Sequence, residues 1–223
     1  NWKDSANHDC QFMVEQDLAF ASYIPYYFKK WIEQIDTNVL PLVSKRIINN
    51  TCKILNFNYT DTLERAYKVP AENILYIHGK ALSSKKLVVG HHDISTFQYG
   101  AVSPFNAAEE HGIYIQDDDE DFRITETKEI IKAYFQKTYK DTFGIIQMNQ
   151  NFFDSLININ EIFILGHSLS SVDMDYFVEI RKRVLHSCKW YISYFSESDL
   201  DNMEYFAKRL DIKNFQPVML SNL

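Results

Sequence analysis

Glu161-Ile162-Phe163-Ile164-Leu165-Gly166-His167-Ser168-Leu169 runs from a short apolar β-type segment straight into a glycine turn. Branched and aromatic side chains closed by a glycine read as a strand entering a loop. Ser170-Ser171-Val172-Asp173-Met174-Asp175-Tyr176-Phe177 follows and leads into helical spacing through Val184. A further strand, Trp190-Tyr191-Ile192-Ser193-Tyr194-Phe195, then precedes a helix from Asp199 to Leu210. Strand, turn, helix and second strand make the unit from which parallel sheets are assembled.

Towards the N-terminus the same alternation recurs. Lys53-Ile54-Leu55-Asn56-Phe57-Asn58-Tyr59 is a β-type run, and Thr60 to Tyr67 continues at helical spacing. Asp61, with Glu64 three positions on, has the form of a capping box that would start that helix. Ile74-Leu75-Tyr76-Ile77-His78 and Leu87-Val88-Val89-Gly90-His91 are two more short apolar runs, each with a glycine and a histidine at its end. Such runs fit buried parallel strands. The predicted fold is therefore α/β, a three-layer sandwich with a mostly parallel, Rossmann-like sheet and flanking helices.

Residues 12–36 read as helix interrupted at Pro25, and Tyr26, Tyr27, Phe28 and Trp31 fall at the spacing of core residues. The expected organisation is an N-terminal helical segment, 1–50, packing on an α/β core, 51–223, with a polar acidic insertion at about 93–125. Asp117-Asp118-Asp119-Glu120-Asp121 in that insertion reads as a solvated run, because a calcium loop needs a glycine there. Helical spacing resumes over 126–143 and 151–157.

Composition narrows the function. A chain of 223 residues is long enough for one domain with an elaboration. The net charge of −7 argues against nucleic acid and against an anionic membrane surface. Six glycines, none closer than ten positions to another, exclude both the GxGxxG fingerprint and the GxxxxGK[ST] phosphate loop from these residues. Cys10, Cys52 and Cys188 are too widely spaced for a zinc knuckle and read as reduced thiols, as expected in a cytosolic protein. No apolar stretch is long enough to span a bilayer. The first residue is Asn1 rather than Met, so a fragment or trimmed product is expected.

In parallel sheets, ligands bind beyond the carboxyl ends of the strands. Here those ends carry Asn58-Tyr59-Thr60, His78-Gly79, Gly90-His91-His92 and Gly166-His167-Ser168. Four polar constellations from four strands would face one crevice.

Phe57-Asn58-Tyr59-Thr60-Asp61-Thr62-Leu63-Glu64, Ile77-His78-Gly79, Val89-Gly90-His91 and Leu165-Gly166-His167-Ser168-Leu169, with Asp173 and Tyr176-Phe177, resemble the bacteriophage abortive-infection AbiH family over roughly residues 40–200. That family is in turn distantly similar to sirtuin-like NAD-consuming domains of antiphage defence. The resemblance implies a pocket for NAD, as substrate or ligand, lined by an Asn after one strand, a His-Gly after another and a Gly-x-Ser-Leu after a third. On this chain those positions are Asn58, His78, Gly79, Gly166, Ser168 and Leu169. Tyr59, Thr60, Asp61, Gly90, His91, His167 and Asp173 complete the expected nucleotide-binding set. Two departures stand out. The glycine-rich Gly-Asn-Gly-Phe-Asp turn with which family members open is absent here, and Thr60 stands where the sirtuin-like pattern places an acid.

Cleavage of a nicotinamide–ribose bond passes through an oxocarbenium-like state and needs a base and oriented hydroxyls. His78 has the right ordinary pKa for a general base, and Asn58 could hold a water or a ribose hydroxyl. Helix starts near Asp61 and Val172 could offer N–H groups to phosphates. Gly166 lets the backbone come close, and Ser168 adds a hydroxyl. Plainer readings exist for each: His78 as a strand-end hydrogen-bonding residue, Asn58 as a turn former, Asp173 as a helix N-cap. GxSxG is excluded, since Ser170 stands at the second glycine. His91, His92, Asp93 and His111 do not make a metal set, and no metal is expected.

The leading expectation is thus an antiphage NAD glycohydrolase, a hydrolase with His78 and Asn58 as catalytic pair. A non-catalytic nucleotide-sensing module of a defence system is the first alternative. A metal-dependent nuclease using His91, His92 and the acids of 117–121 is the second. Expected partners are the nucleotide itself, a phage trigger or a second defence subunit, and further copies of the chain.

Overall fold

The structure, a computed structural model, describes residues 2–41, 47–91 and 122–222. In chain order it contains α1 (Trp2–Ser22), α2 (Ile24–Ile32), β1 (Ile54–Asn56), α3 (Thr62–Arg65) and β2 (Ile74–Tyr76). Then follow α4 (Phe122–Thr138), α5 (Thr142–Met148), α6 (Gln150–Asp154), β3 (Glu161–Ile164), α7 (Met174–Arg183), β4 (Lys189–Tyr194), α8 (Ser198–Arg209) and β5 (Phe215–Met219). The chain divides into two compact units, Asn1–Trp31 with Val89–Lys140, and Ile32–Val88 with Asp141–Leu223.

In the first unit, α1 packs against α4, and Gln11 donates to Glu126 between them. Pro25 sits at the start of α2, where its missing N–H costs no helical hydrogen bond. The chain breaks just before it, at Tyr23, as the proline predicts. The aromatic residues of α2 do not form core. Tyr26, Tyr27 and Trp31 are 58%, 62% and 60% exposed, because the one residue α2 buries is Ile32. They contact ring neighbours instead, Tyr26 against Tyr27 and Phe28 against Trp31.

The second unit carries the strands. β1 pairs with β2 in parallel register, Ile54 with Ile74 through Asn56 with Tyr76. β3, β4 and β5 form a separate parallel sheet in that order, with Ile162 beside Trp190 and Trp190 beside Phe215. One core joins both sheets: Ile77, Ile164, Trp190 and Ile192 meet Tyr176 and Phe177 of α7 and Met203 and Phe206 of α8. Helices thus flank small parallel sheets of two and three strands.

One expected strand is corrected by the structure. Leu87 to His91 is not a sheet strand. Val88 gives its N–H to the His78 carbonyl, its own carbonyl accepts from the Tyr59 hydroxyl, and the run belongs to neither sheet, making one isolated bridge from His91 to Tyr139. Burial along β3 alternates: Ile164 is buried, while Phe163 is 37% exposed and stacks on Tyr191 at 4.6 Å. β5 lay outside the expected strands because Pro217 interrupts its pattern. The proline is tolerated because β5 is the edge strand of its sheet, where a missing ladder N–H costs least.

Among the described residues no helix is long and apolar enough to cross a membrane. Cys52 and Cys188 are free thiols, and burial pushes the Cys188 thiol up from its ordinary pKa.

Candidate functional site

The carboxyl ends of β1, β2 and β3 bring together residues widely separated in the chain. β1 ends at Asn56, whose buried side-chain oxygen accepts from the Asn58 N–H at 3.0 Å and turns the backbone. The turn-forming role thus belongs to Asn56, and the side chain of Asn58 lies exposed. Phe57, between them, points into the core cluster. Its ring centroid lies 4.4 Å from that of His167 and 5.5 Å from those of His78 and Phe177.

His78, two residues beyond β2, is 5% exposed. Its Nε2 lies 3.3 Å from Asp173 Oδ1, yet no aligned hydrogen bond forms, so this nitrogen is buried without a hydrogen-bond partner. Native proteins pair nearly all such groups, and an exception marks a strained or functional position. His167, beyond β3, approaches the same carboxylate from its other oxygen, Nε2 to Oδ2 at 3.3 Å. The Nδ1 of His167 accepts from the Leu169 N–H at 2.9 Å. A backbone amide can only donate, so the proton of His167 resides on Nε2, facing Asp173. Leu169 adopts φ 55°, a left-handed conformation uncommon for a branched side chain, and strain of this kind collects at functional sites.

Asp173 is therefore clasped between two imidazoles. It stands at the N-cap position of α7 but makes no capping hydrogen bond. Ser170 caps the preceding turn, its hydroxyl accepting from Val172 N–H. Two phenols register the charge. Burial first, then Asp173, pushes the Tyr59 hydroxyl above its ordinary pKa, and the same causes in the same order act on Tyr176. Both stay protonated across physiological pH. Carboxylate, two imidazoles and two phenols form a polar cluster walled by Phe57 and Phe177.

Other expected site residues are held elsewhere. Asp61 makes no capping bond to α3; its carboxylate accepts from Thr37 Oγ1 at 2.8 Å and Arg65 Nε at 2.7 Å. Glu64, the other half of the expected capping box, pairs with Lys80. α3 is one turn long, so it has little dipole to offer a phosphate. The Thr60 hydroxyl contacts that of Thr62 at 3.0 Å. Gly79 takes φ +88° in the turn after His78. Gly90 and His91 belong to the first unit. There a Cβ on Gly90 would overlap the Thr138 carbonyl, so the close approach is by protein backbone. His91 Nε2 lies 3.1 Å from the Phe135 carbonyl oxygen, and the His91 carbonyl accepts from Lys140 N–H. His92, Asp93, His111 and the acids of 117–121 lie outside the described residues. Among the described residues no group of three or more His, Cys, Asp or Glu is arranged to hold a metal ion.

A cleft of about 250 Å³ opens beside His167, at the carboxyl ends of β3 and β4. Gly166 and Ser168 form one side of it, and Tyr194, Asp199 and Asn202 the other. Gly166 takes φ +62°, and a Cβ there would meet nothing within 4 Å, so backbone conformation rather than crowding requires the glycine. Its N–H donates to Ser193 Oγ at 2.8 Å, tying the β3 turn to the end of β4.

A profile of the family described as Bacteriophage abortive infection AbiH matches residues 1–194. The chain belongs to the AbiH family. No curated protein and no solved structure matches it at a significant level. Membership ties the chain to bacteriophage abortive infection. Within this AbiH chain, Asn56 joins the site without having been singled out from sequence, and Phe57 and Tyr176, noted there only as part of the family resemblance, join it as its neighbours. Asn56 at a strand end was the available signal, since a buried Asn there commonly fixes the following turn.

Asp61 yields a pH prediction. Burial works to raise its carboxyl pKa, but hydrogen bonds from Thr37 and Arg65, with the charges of Arg65 and Lys80, outweigh burial and hold it below the ordinary value. Its contribution to stability is therefore complete above the unfolded-state pKa of about 3.9 and disappears as pH falls through the lower folded value. Urea midpoints measured from pH 7 to pH 2.5 should fall less steeply below about pH 4 in Asp61→Asn than in the wild type. Parallel curves would rule this out.

Proposed function

We propose that the chain binds NAD or a closely related nucleotide at the carboxyl edge of its parallel strands and hydrolyses the nicotinamide–ribose bond during abortive infection in the bacterial cytoplasm. One observation carries the proposal: the buried Nε2 of His78 faces Asp173 at 3.3 Å without a satisfied hydrogen bond, on a carboxylate that His167 approaches from the other side. A carboxylate beside an imidazole orients the ring, so His78 is equipped to act as general base through Nδ1. Water would add its oxygen to the ribose C1′ and lose a proton to His78. The C1′–N bond would break with its electron pair passing to the nicotinamide ring. Phe57 and Phe177 exclude bulk water around the pair, which strengthens its electrostatics. Gly166, His167 and Ser168, which line the neighbouring cleft, and Tyr59 and Gly79 would contact the bound nucleotide.

The exposure of Asn58 favours its acting only on a bound ligand, as a donor to a ribose hydroxyl, rather than within the buried cluster. The low exposure of His78 supports a second reading, a sensor that binds nucleotide without turnover and signals to a partner or to further copies of the chain. Incubation with NAD, with and without phage infection of the expressing cells, separates the two. Nicotinamide appearing by chromatography supports hydrolysis. A ligand-induced rise in melting temperature without nicotinamide supports the sensor, and neither signal would remove both.

A further inference from the structure

We infer that the cleft at the carboxyl ends of β3 and β4 accepts the vicinal ribose hydroxyls of an adenine dinucleotide on Asp199, and so rejects a ribose that carries a 2′-phosphate. The inference rests on the proposed nucleotide binding and adds the choice between two chemical classes of dinucleotide. Small-molecule sites commonly enclose about 300–1,000 Å³. A cleft of about 250 Å³ therefore suits one ribonucleoside half rather than a whole dinucleotide. His167 lines this cleft and also pairs with Asp173, so a ligand seated here extends towards the proposed reacting centre.

The chemistry of the lining selects the half. Asp199 Oδ2 accepts from Phe195 N–H at 3.0 Å, from Ser196 N–H at 2.9 Å and from Ser196 Oγ at 3.2 Å. All three bonds converge on one oxygen, fixing the carboxylate while making no use of Oδ1. The backbone donors at Ser196 and Phe195 hold its pKa below the ordinary carboxylate value, so it is anionic at neutral pH. A fixed anion accepts from hydroxyls and repels phosphate. Hydroxyl or amide groups of Ser168 and Asn202 supply polar partners around it, and the open space at Gly166 leaves room for a sugar. Asp199 also lies in the first turn of α8, and a purely helix-capping role would affect every ligand alike.

Titration calorimetry on the full chain with NAD, NADP and ADP-ribose decides the matter. NAD and ADP-ribose are expected to bind, with NADP weaker by at least about tenfold. In Asp199→Asn that gap should shrink to about twofold, through a gain in NADP affinity relative to NAD. Asp199→Ser, which removes the charge but keeps an oxygen on the side chain, should shrink it as well and serves if the amide variant fails to fold. Equal wild-type affinity for NAD and NADP, or an unchanged ratio in the variants, would overturn the inference and leave the nucleotide reading standing. Binding of none of the three ligands would remove both.

Discussion

Asp173→Ala should lower nicotinamide release from NAD by a factor of about 10²–10⁴, the range that a positioned acid–base group supplies. The physical reason is the clasp itself. Without the carboxylate, His78 keeps its place against Phe57 and Tyr176 but loses the group 3.3 Å from Nε2 that orients its ring. His78→Ala should cost a similar factor, and the double variant little more than either single one, because residues that act as a unit do not add. His167→Ala should be milder, since His167 positions the carboxylate rather than taking the proton. Initial rates at saturating NAD, with ligand affinity measured in parallel, test the set. Full activity in Asp173→Ala, or losses that multiply in the double variant, would rule out the assigned roles.

The largest effect on stability is expected at Trp190. It is 2% exposed in β4, the middle strand of its sheet, between Ile162 of β3 and Phe215 of β5. Replacing a fully buried tryptophan by alanine removes its transfer free energy and leaves a cavity, at a cost of about 3–5 kcal/mol. Against a typical total of about 5–15 kcal/mol, that is a large share of the stability of the fold. Phe163, on the exposed side of β3, should cost clearly less when truncated, because much of its ring is already in water. Urea denaturation of both variants checks this through midpoint and slope. A Trp190→Ala loss no larger than that of Phe163→Ala would show that the core is not centred on β4.

Much of the fold was legible in the sequence. Hydrophobic periodicity is a local signal, and β3, α7, β4 and α8 emerge close to where it puts them. The misreadings have specific causes. Leu87 to His91 has strand composition, but its partners are set by the tertiary structure, among them the hydroxyl of distant Tyr59 on the Val88 carbonyl. Tyr26 and Trp31 have core spacing on α2, yet helical spacing says only which residues share a face, not whether another element covers it. Asp61 and Glu64 have the spacing of a capping box, but Thr37, Arg65 and Lys80 claim both carboxylates.

The candidate site divides along the same line. His78, Gly79, Gly166 and His167 were identifiable because short strands ending in glycine and histidine leave a mark within a few residues. The same windows showed that these ends carry polar groups and that Gly166 stands where the chain must turn. Local sequence thus determined the alternation of strands and helices and the chemistry at the strand ends. Only the tertiary structure decided that His78 and His167 converge on the single carboxylate of Asp173, and that Asp173, at the N-cap position of α7, makes no capping hydrogen bond. Strand pairing and side-chain direction across a shared core set those contacts, and no short window of sequence encodes them.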